Sequence, residues 1–331
     1  MAATIEELLT RCVALWCPGA AGVIGPTRLS GGASQETWSF DVVHPNGNIG
    51  AILRRAPPGY GAAPTRAAGL NVEAALMRLA LVAGVPSPGV LHVLTAEDEL
   101  GTGFIMERVE GETIPRKILR DQKFAPVRPR MARQCGGVLA AIHGIALPEL
   151  PELRRITSTT EIAQLEHEYR GFDWPRPVFE LALRWLCDHD PGPPDEITLV
   201  HGDFRHGNLI IGPDGVCAVL DWELAHTGDP MEDLGWICVN SWRFGEIDKP
   251  VGGFGTREEL FGGYEAAARR VEPSRVHFWE VMGTMRWGVM CCGMMQRFRL
   301  GPDHSMERAM IGRRSSETEI DLLRLLVPRG G

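Results

Sequence analysis

VHGDFRHGNLIIGPDGVCAVLDWE, residues 200–223, places two aspartates and one asparagine beside the strands of a predicted β-hairpin. Asp203 and Asn208 are five positions apart, and Asp221 follows thirteen positions after Asn208. The GPDG turn at 212–215 lies between apolar runs; its proline fixes φ and its last glycine accepts a positive φ. A tight loop between short strands can direct three polar side chains to one point. Such a group suits phosphoryl transfer from a metal-bound nucleotide: one carboxylate orients and deprotonates the attacking hydroxyl, while the amide and the second carboxylate hold Mg²⁺.

The same stretch resembles the catalytic loop of the aminoglycoside phosphotransferase and choline kinase superfamily, which has a kinase-like fold. Kinases carry H-R-D-x-x-x-x-N followed by D-F-G. Here residues 201–203 (HGD) occupy the first triplet, Asn208 the asparagine, and residues 221–223 (DWE) the last triplet. These forms are similar to small-molecule phosphotransferases rather than to protein kinases. The alternative is a hairpin whose polar side chains only satisfy turn backbone, since Asp and Asn are common in turns.

The resemblance implies an α+β, bilobal protein kinase-like fold. Residues 1–108 would form the N-lobe, a small antiparallel sheet plus a helix that covers the nucleotide. Residues 109–331 would form a large, mostly helical C-lobe with the catalytic loop, the metal site and the acceptor pocket. With 44% hydrophobic and 23% charged residues, the 331-residue chain has ample material for such a core.

Composition restricts the class of partner. The net charge of −8 argues against broad nucleic-acid binding, which needs a basic surface. No run of eighteen apolar residues is present, and the acidic, amphipathic pattern over residues 1–16 predicts a helix rather than a signal peptide or a membrane span. Eight cysteines without a C-x-x-C spacing favour a reduced chain. We therefore expect a cytoplasmic enzyme whose partner is a small molecule; the sequence does not indicate an oligomeric state.

Two segments of the N-terminal part are typical of nucleotide phosphate binding. Gly31, Gly32 and Ser34 lie in a glycine-rich turn between predicted strands, where backbone N–H groups can approach phosphates. The resemblance implies that this loop covers the phosphates of ATP. Arg54 ends the sequence AILR, where the kinase pattern V-A-I-K has a lysine. Arginine keeps the charge and can bind phosphate through two hydrogen bonds, and this variant is similar to the branch associated with acyl-CoA dehydrogenases.

A helix is predicted after this strand, with Asn71 as its N-cap. Glu73, in its first turn, is expected to pair with Arg54, because kinases align the strand lysine with a helix glutamate. The alternative is that Glu73 only interacts with the helix dipole. Farther along, the resemblance implies that backbone groups near Glu107 and Val109, between the lobes, bind the adenine.

The resemblance also assigns roles in the catalytic region. Asp203 would be the base, Asn208 and Asp221 would hold Mg²⁺, and Glu223 would be a further ligand through water. Arg205 and His206, inside the loop, are candidates for contact with the acceptor or with the transferred group. In the segment GDPMEDLGW (228–236), Asp229 is the predicted N-cap of a helix with Glu232 at its third position. Asp233 is expected to support the backbone of the catalytic loop.

The acceptor is indicated only by composition. A helix predicted at 274–299 concentrates Met, Trp and Cys, which suit either an irregular core or an acyl-accepting pocket. Together with the arginines of the third strand, this favours an acidic or acyl-bearing hydroxy compound, such as a hydroxyacyl compound, over a polycationic aminoglycoside. Choline or homoserine kinase-like activity and a nucleotide-binding pseudokinase remain alternatives at this stage.

Overall fold

The computed structural model describes residues 3–29, 35–57, 66–301 and 305–327. Its N-terminal part is a five-stranded antiparallel sheet in the order β1-β2-β3-β5-β4. Two helices accompany the sheet. The bounds are α1 (Ile5–Trp16), β1 (Gly22–Leu29), β2 (Glu36–Val43), β3 (Ile49–Ala56), α2 (Leu70–Val82), β4 (Val90–Val93) and β5 (Thr102–Glu107).

The central strand β3 separates two environments. Leu53 is fully buried in the hydrophobic cluster under α1, which also contains Leu9 and Phe40. Arg54 points to the opposite face, because successive side chains of a strand alternate. Arg55, on the Leu53 face, donates to Glu36 Oε2 at 2.8 Å. The two arginines therefore lie on opposite faces, as the alternation of strand side chains predicts, and Arg55 has a partner within the sheet.

The rest of the chain is mainly helical. Its helices are α3 (Pro115–Arg120), α4 (Arg128–His143), α5 (Ser158–Arg170), α6 (Pro177–Asp188), α7 (Met231–Trp236), α8 (Arg257–Glu265), α9 (Pro273–Leu300), α10 (Met306–Gly312) and α11 (Ser315–Leu326). Two short antiparallel pairs are inserted: β6 (Thr198–Val200) with β9 (His226–Gly228), and β7 (Leu209–Gly212) with β8 (Gly215–Val219). Close contact between α4 and α8 requires a glycine, since a Cβ at Gly136 would lie 2.1 Å from the backbone oxygen of Leu260.

Three local predictions are wrong. Helix α2 begins at Leu70 with Gly69 as N-cap, so Asn71 lies inside the helix and does not cap it. The sequence predicts a single last helix at about 303–327, but the structure divides this part of the chain into α10 and α11. The sequence also predicts LVH (199–201) as an arm of the hairpin, but its strand β6 pairs with β9, because a segment's partner in a sheet is set by contacts distant in sequence.

The start of α7 also differs from the prediction. Its N-cap is Pro230, and Asp229 instead accepts a hydrogen bond from Met231 N through its side chain at 2.9 Å. Glu232 is buried and bonds His226 Nε2 at 3.2 Å and Arg286 Nη1 at 2.9 Å. A glutamate that is held by a histidine and an arginine is not available to form a capping box. Within the described ranges, no helix is both long and apolar enough to cross a membrane.

Candidate active site

The loop between β6 and β7 carries Asp203, whose carboxylate is held by two donors of that loop and one from α7. Its Oδ1 accepts from Arg205 Nε at 3.0 Å and from Trp236 Nε1 at 2.8 Å. Its Oδ2 accepts from Asn208 Nδ2 at 2.6 Å. A carboxylate has about four lone-pair positions, two on each oxygen. Oδ1 is therefore saturated, and Oδ2 keeps one position that can accept from another hydroxyl group.

The β7–β8 hairpin brings two predicted metal ligands to its open end. Asn208 precedes β7, Asp221 follows β8, and Leu220 N donates to the Asn208 carbonyl at 2.8 Å. The amide nitrogen of Asn208 is used by Asp203, which directs its amide oxygen away from that bond. Asp221 has φ +68°, a left-handed conformation that Asp tolerates better than most residues. Amide and carboxylate oxygens are the ligand type that Mg²⁺ prefers, so these residues fit that ion.

Arg54 is surrounded by three carboxylates. Its Nη2 lies 2.7 Å from Asp221 Oδ1 and 3.4 Å from Glu223 Oε2, and its Nε lies 3.3 Å from Glu73 Oε2. The ion pair expected between Arg54 and Glu73 is thus present. Burial opposes the charge of Arg54, but Glu73 and then Asp221 outweigh it and raise the pKa of the guanidinium. The arginine is therefore a permanent cation at the edge of the candidate metal site.

Burial acts strongly on the neighbouring acids. It raises the pKa of Glu73, although Arg54 acts in the opposite direction. Burial, followed by the negative charge of Asp221, also raises the pKa of Glu223. Clusters of perturbed acids of this kind are typical of functional sites, because like charges are brought together there against their electrostatic cost.

Buried Asp233 holds the backbone at the start of the loop between β6 and β7. Asp233 Oδ2 accepts from His201 N at 2.8 Å, and Asp233 Oδ1 accepts from Gly202 N at 2.9 Å. His143 Nε2 lies 3.1 Å from the same carboxylate, and its Nδ1 lies 2.9 Å from the Tyr264 hydroxyl. The support expected from Asp233 is present, and His143 is a packed side chain within that support.

A cavity of about 370 Å³ opens over Asp203. One end carries the carboxylates of Asp203, Asp221 and Glu223. The remainder contains Glu168, His226, four arginines and an apolar wall. The arginines are Arg66, Arg154, Arg205 and Arg286; the wall contains Trp236, Trp242, Trp287, Met290 and Met294.

The Met- and Trp-rich helix α9 both packs in the hydrophobic core and lines the cavity. Trp287, Met290 and Met294 line the cavity, while Met282 and Met285 are buried in the main hydrophobic core. The helix period explains the division, since residues three or four apart share a face. The sequence could not separate the two faces, because apolar residues occupy nearly all of this helix.

Three of the cavity arginines already have partners. Arg205 is paired with Asp203 and stacks over Trp242 with its Cζ 4.7 Å from the ring centroid. Arg286 lies 2.9 Å from Glu232. Arg66 lies 2.9 Å from Glu161 and 3.0 Å from Glu168.

Arg154 differs from the other three cavity arginines in its hydrogen-bond partners. In the part of the chain that the structure describes, its guanidinium bonds only the backbone oxygen of Arg66 and has no carboxylate within ion-pair distance. Burial, followed by the positive charge of Arg66, lowers the pKa of Arg154. An anion bound between these groups would relieve that repulsion.

The remaining predicted site residues that the structure describes do not line the cavity. His206 is fully buried and bonds Gly252 O through Nδ1 at 2.7 Å, so the expectation that it contacts the acceptor is wrong. Burial lowers its pKa to about 4, which keeps the ring neutral. The N–H of Glu107 is used by Gly89 O, whereas no described backbone oxygen accepts from Val109 N–H. Gly31, Gly32 and Ser34 lie outside the described residues.

Several cavity residues were not identified from the sequence. Trp236, Trp242, Arg154 and Arg286 come from separate segments and meet only in the folded chain. One signal was available for Trp236, because it ends the segment GDPMEDLGW that follows the catalytic triplets. Arg154 and Arg286 carry no local signature, since isolated arginines are common on exposed surfaces.

Comparison with known proteins agrees with this architecture. The sequence profile of the Phosphotransferase enzyme family matches residues 26–270. Acyl-CoA dehydrogenase family member 11 of Gallus gallus is 29% identical over 252 residues, which are 70% of this chain and 30% of that protein. Acyl-CoA dehydrogenase family member 10 of Mus musculus is 30% identical over 200 residues, which are 57% of this chain and 18% of that protein. The chain therefore spans less than a third of the length of these two relatives.

Solved structures share the fold at low sequence identity. A provisionally assigned aminoglycoside phosphotransferase from Ralstonia eutropha has a TM-score of 0.73 at 23% identity, with 96% of this chain and 97% of that chain covered. A choline/ethanolamine kinase family protein from Mesorhizobium loti has a TM-score of 0.63 at 20% identity, with coverages of 97% and 96%. An aminoglycoside phosphotransferase solved with ADP and hygromycin B has a TM-score of 0.64 at 18% identity, with coverages of 99% and 100%. The predicted kinase-like α+β fold is confirmed.

Proposed function

The chain belongs to the phosphotransferase enzyme family, and from that premise we propose that it transfers the γ-phosphoryl group of ATP, with Mg²⁺, to a hydroxyl of a small molecule. The observation that carries this proposal is the Asp203 carboxylate. One position of its Oδ2 is open, and it lines a cavity that Asp221 and Glu223 also line. A hydroxyl acceptor in that cavity can donate to Oδ2 while it faces the metal ligands.

The contacts suggest a separate role for each residue in the proposed reaction. Asp203 orients the acceptor hydroxyl and accepts its proton, and Trp236 and Arg205 keep the carboxylate in place. Asn208 and Asp221 would hold Mg²⁺, with Glu223 as a further ligand. When bound, this ion would neutralise charge on the transferred phosphoryl group.

The nucleotide would occupy the groove under the sheet. Arg54 would turn from the carboxylates towards the nucleotide phosphates, with Glu73 retaining its Nε side. Gly31, Gly32 and Ser34 are proposed to cover those phosphates. Val109 N–H is proposed to donate to the adenine, beside Glu107.

For the acceptor we propose an acidic or acyl-bearing hydroxy compound and not an aminoglycoside. Three of the four cavity arginines are paired with carboxylates, but Arg154 has no carboxylate partner among the described residues and would favour an anionic group over a polycation. The tryptophan and methionine wall can cover an apolar chain. The relationship to acyl-CoA dehydrogenase family members supports an acyl group, such as a hydroxyacyl compound.

A quaternary ammonium acceptor such as choline fits this cavity less well. Three tryptophans could in principle surround such a cation. The guanidinium of Arg286 already lies 4.2 Å from the Trp236 ring centroid, and that of Arg205 lies 4.7 Å from the Trp242 centroid. The cation positions over these rings are therefore occupied by the protein's own side chains.

An acceptor panel tests the proposal. Mg²⁺-dependent consumption of ATP would be measured with hydroxyacyl compounds, their free acids, sugars, homoserine, choline and aminoglycosides. We expect stimulation by hydroxy acids or their acyl derivatives and background rates with aminoglycosides. Strong stimulation by kanamycin, or a large rise in kanamycin tolerance on expression, would contradict the acceptor class. Tight nucleotide binding without stimulation by any acceptor would instead favour a pseudokinase.

Replacement of Arg154 by alanine should weaken acceptor binding selectively. A hydrogen bond to a charged group is worth about 1.5–3 kcal/mol, so we expect KM for the anionic acceptor to rise roughly 10- to 100-fold. KM for ATP should stay unchanged. The matched control is Arg155→Ala, which removes the neighbouring exposed arginine that does not line the cavity. Equal effects of the two substitutions would exclude a specific role for Arg154.

A further inference from the structure

We propose that Cys12, His92 and Asp98 form a Zn²⁺ site on the face of the sheet that is opposite to Arg54. The hydrophobic cluster that contains Cys12 also contains Leu53, whose side chain alternates with that of Arg54. None of the three residues lines the active-site cavity. The site is thus separate from the proposed Mg²⁺ ligands and does not depend on the proposed phosphotransfer.

The three side chains converge from separate segments. Cys12 comes from α1, His92 from β4, and Asp98 from the short turn that follows β4. Each offers one ligand atom, and these atoms all lie within 4.8 Å of one another. His92 Nε2 is 3.0 Å from Asp98 Oδ2. Zinc bonds of roughly 2.0–2.3 Å in a tetrahedral arrangement place ligand atoms about 3.3–3.8 Å apart, so only small side-chain shifts are needed.

Asp98 is a buried acid that could bind a metal ion through its carboxylate. Its side chain is 0% exposed, and among the described residues its ion-pair partner is His92 alone. Thr95 N donates to Asp98 Oδ2 at 2.6 Å, whereas Oδ1 is buried without a well-formed hydrogen bond, and the Cys12 thiol lies within 4.8 Å of the carboxylate. A buried carboxylate with one unsatisfied oxygen is costly. Zinc bound by a thiolate, a carboxylate and a neutral imidazole would leave the group without net charge.

The donor set selects the metal. A thiolate and an imidazole suit Zn²⁺, whereas Mg²⁺ and Ca²⁺ take oxygen ligands. The fourth position can be filled by water, since the His92 side chain is 18% exposed. Trp16 stacks on His92 with ring centroids 6.4 Å apart, and its Nε1 is buried without a partner in the described chain. Trp16 lies four residues after Cys12 on α1, so its N–H can donate to a thiolate.

Metal content and cobalt spectroscopy test the proposal on the full chain, purified without a histidine tag. After chelation and re-addition of Zn²⁺, we expect one zinc ion per chain and a higher Tm, because a ligand that binds only the folded state stabilises it. Co²⁺ should give a thiolate charge-transfer band. Loss of an outer-shell partner already weakens metal sites ~10–100-fold, so Cys12→Ser should lower Zn²⁺ affinity at least ~100-fold.

Three further variants make the result decisive. Cys17→Ser removes another buried cysteine near the end of the same helix and should keep the zinc and the cobalt band. Asp221→Asn alters the active site and should also keep both. His92→Gln should lose zinc, and it serves if Cys12→Ser does not fold. If the wild-type chain binds no zinc, or if Cys12→Ser binds it as tightly, the three residues form a metal-free cluster in which the thiol points at the carboxylate.

Discussion

Asp203→Ala is expected to lower kcat by at least ~10²-fold, the usual size of a general-base contribution, while ATP affinity is kept. The carboxylate has no contact with the Arg54 and Glu73 pair that is proposed to face the nucleotide phosphates. Its removal deletes the carboxylate that is proposed to accept the proton of the substrate hydroxyl. Turnover measured at saturating ATP and acceptor, together with nucleotide binding by titration calorimetry, checks both parts.

The substitution to asparagine is a weaker test of the base than the substitution to alanine. All three groups that bond the carboxylate are donors, namely Arg205, Trp236 and Asn208. An amide NH₂ would face at least one of them, so Asp203→Asn would disturb the loop as well as remove the charge. Alanine leaves the donors free to bind water.

The control for Asp203→Ala is Asp214→Ala. Asp214 is exposed in the turn between β7 and β8 and does not line the cavity. The substitution therefore removes a carboxylate from the same hairpin without changing the cavity. We expect near-normal kcat for this control. Near-normal turnover in Asp203→Ala itself would remove Asp203 from the proposed mechanism.

The grouping of Asp203, Asn208 and Asp221 could be predicted because these residues are close together in the sequence. Asp203 and Asn208 are five positions apart and bond each other directly, and a hairpin joins Asn208 to Asp221. Turn chemistry and a short spacing are sufficient to place such groups together. The pair between Arg54 and Glu73 could also be expected, since a strand followed by a helix is a local unit.

The cavity walls could not be predicted, because their contacts are not local. Trp236 Nε1 reaches Asp203 across 33 positions, and Arg286 reaches Gly202 across 84. The error at His206 has the same origin. His206 directly follows Arg205, which lines the cavity, yet its ring is buried against Phe244 and Phe254. Sequence position within a loop does not give the direction of a side chain when the loop's neighbours are unknown.

Asp233→Ala is expected to lower the free energy of unfolding by about 3–5 kcal/mol, the range for breaking one partner out of a buried ion-paired group. The carboxylate is fully buried and accepts from two backbone N–H groups, of His201 and Gly202, and from His143. Without it, two buried amides and the imidazole lose their acceptor. Urea denaturation at neutral pH measures the loss, and exposed Asp248→Ala should stay within about 0.5 kcal/mol of wild type.

The size of the effect should depend on pH in a defined direction. Burial opposes ionisation of Asp233, but the hydrogen bond from His143 and the backbone donors outweigh it and lower its pKa below the usual 3.8. A lowered pKa in the folded state stabilises the fold above the unfolded-state pKa, and this contribution is lost as pH falls through the folded-state value. The difference in unfolding free energy between wild type and Asp233→Ala should therefore shrink in acid. The unfolding free energy of Asp233→Asn should lie between those of wild type and Asp233→Ala, because its amide oxygen can still accept a hydrogen bond from one backbone N–H. A constant difference from neutral to acid pH would show that Asp233 acts by packing alone and that its charge does not hold the catalytic loop.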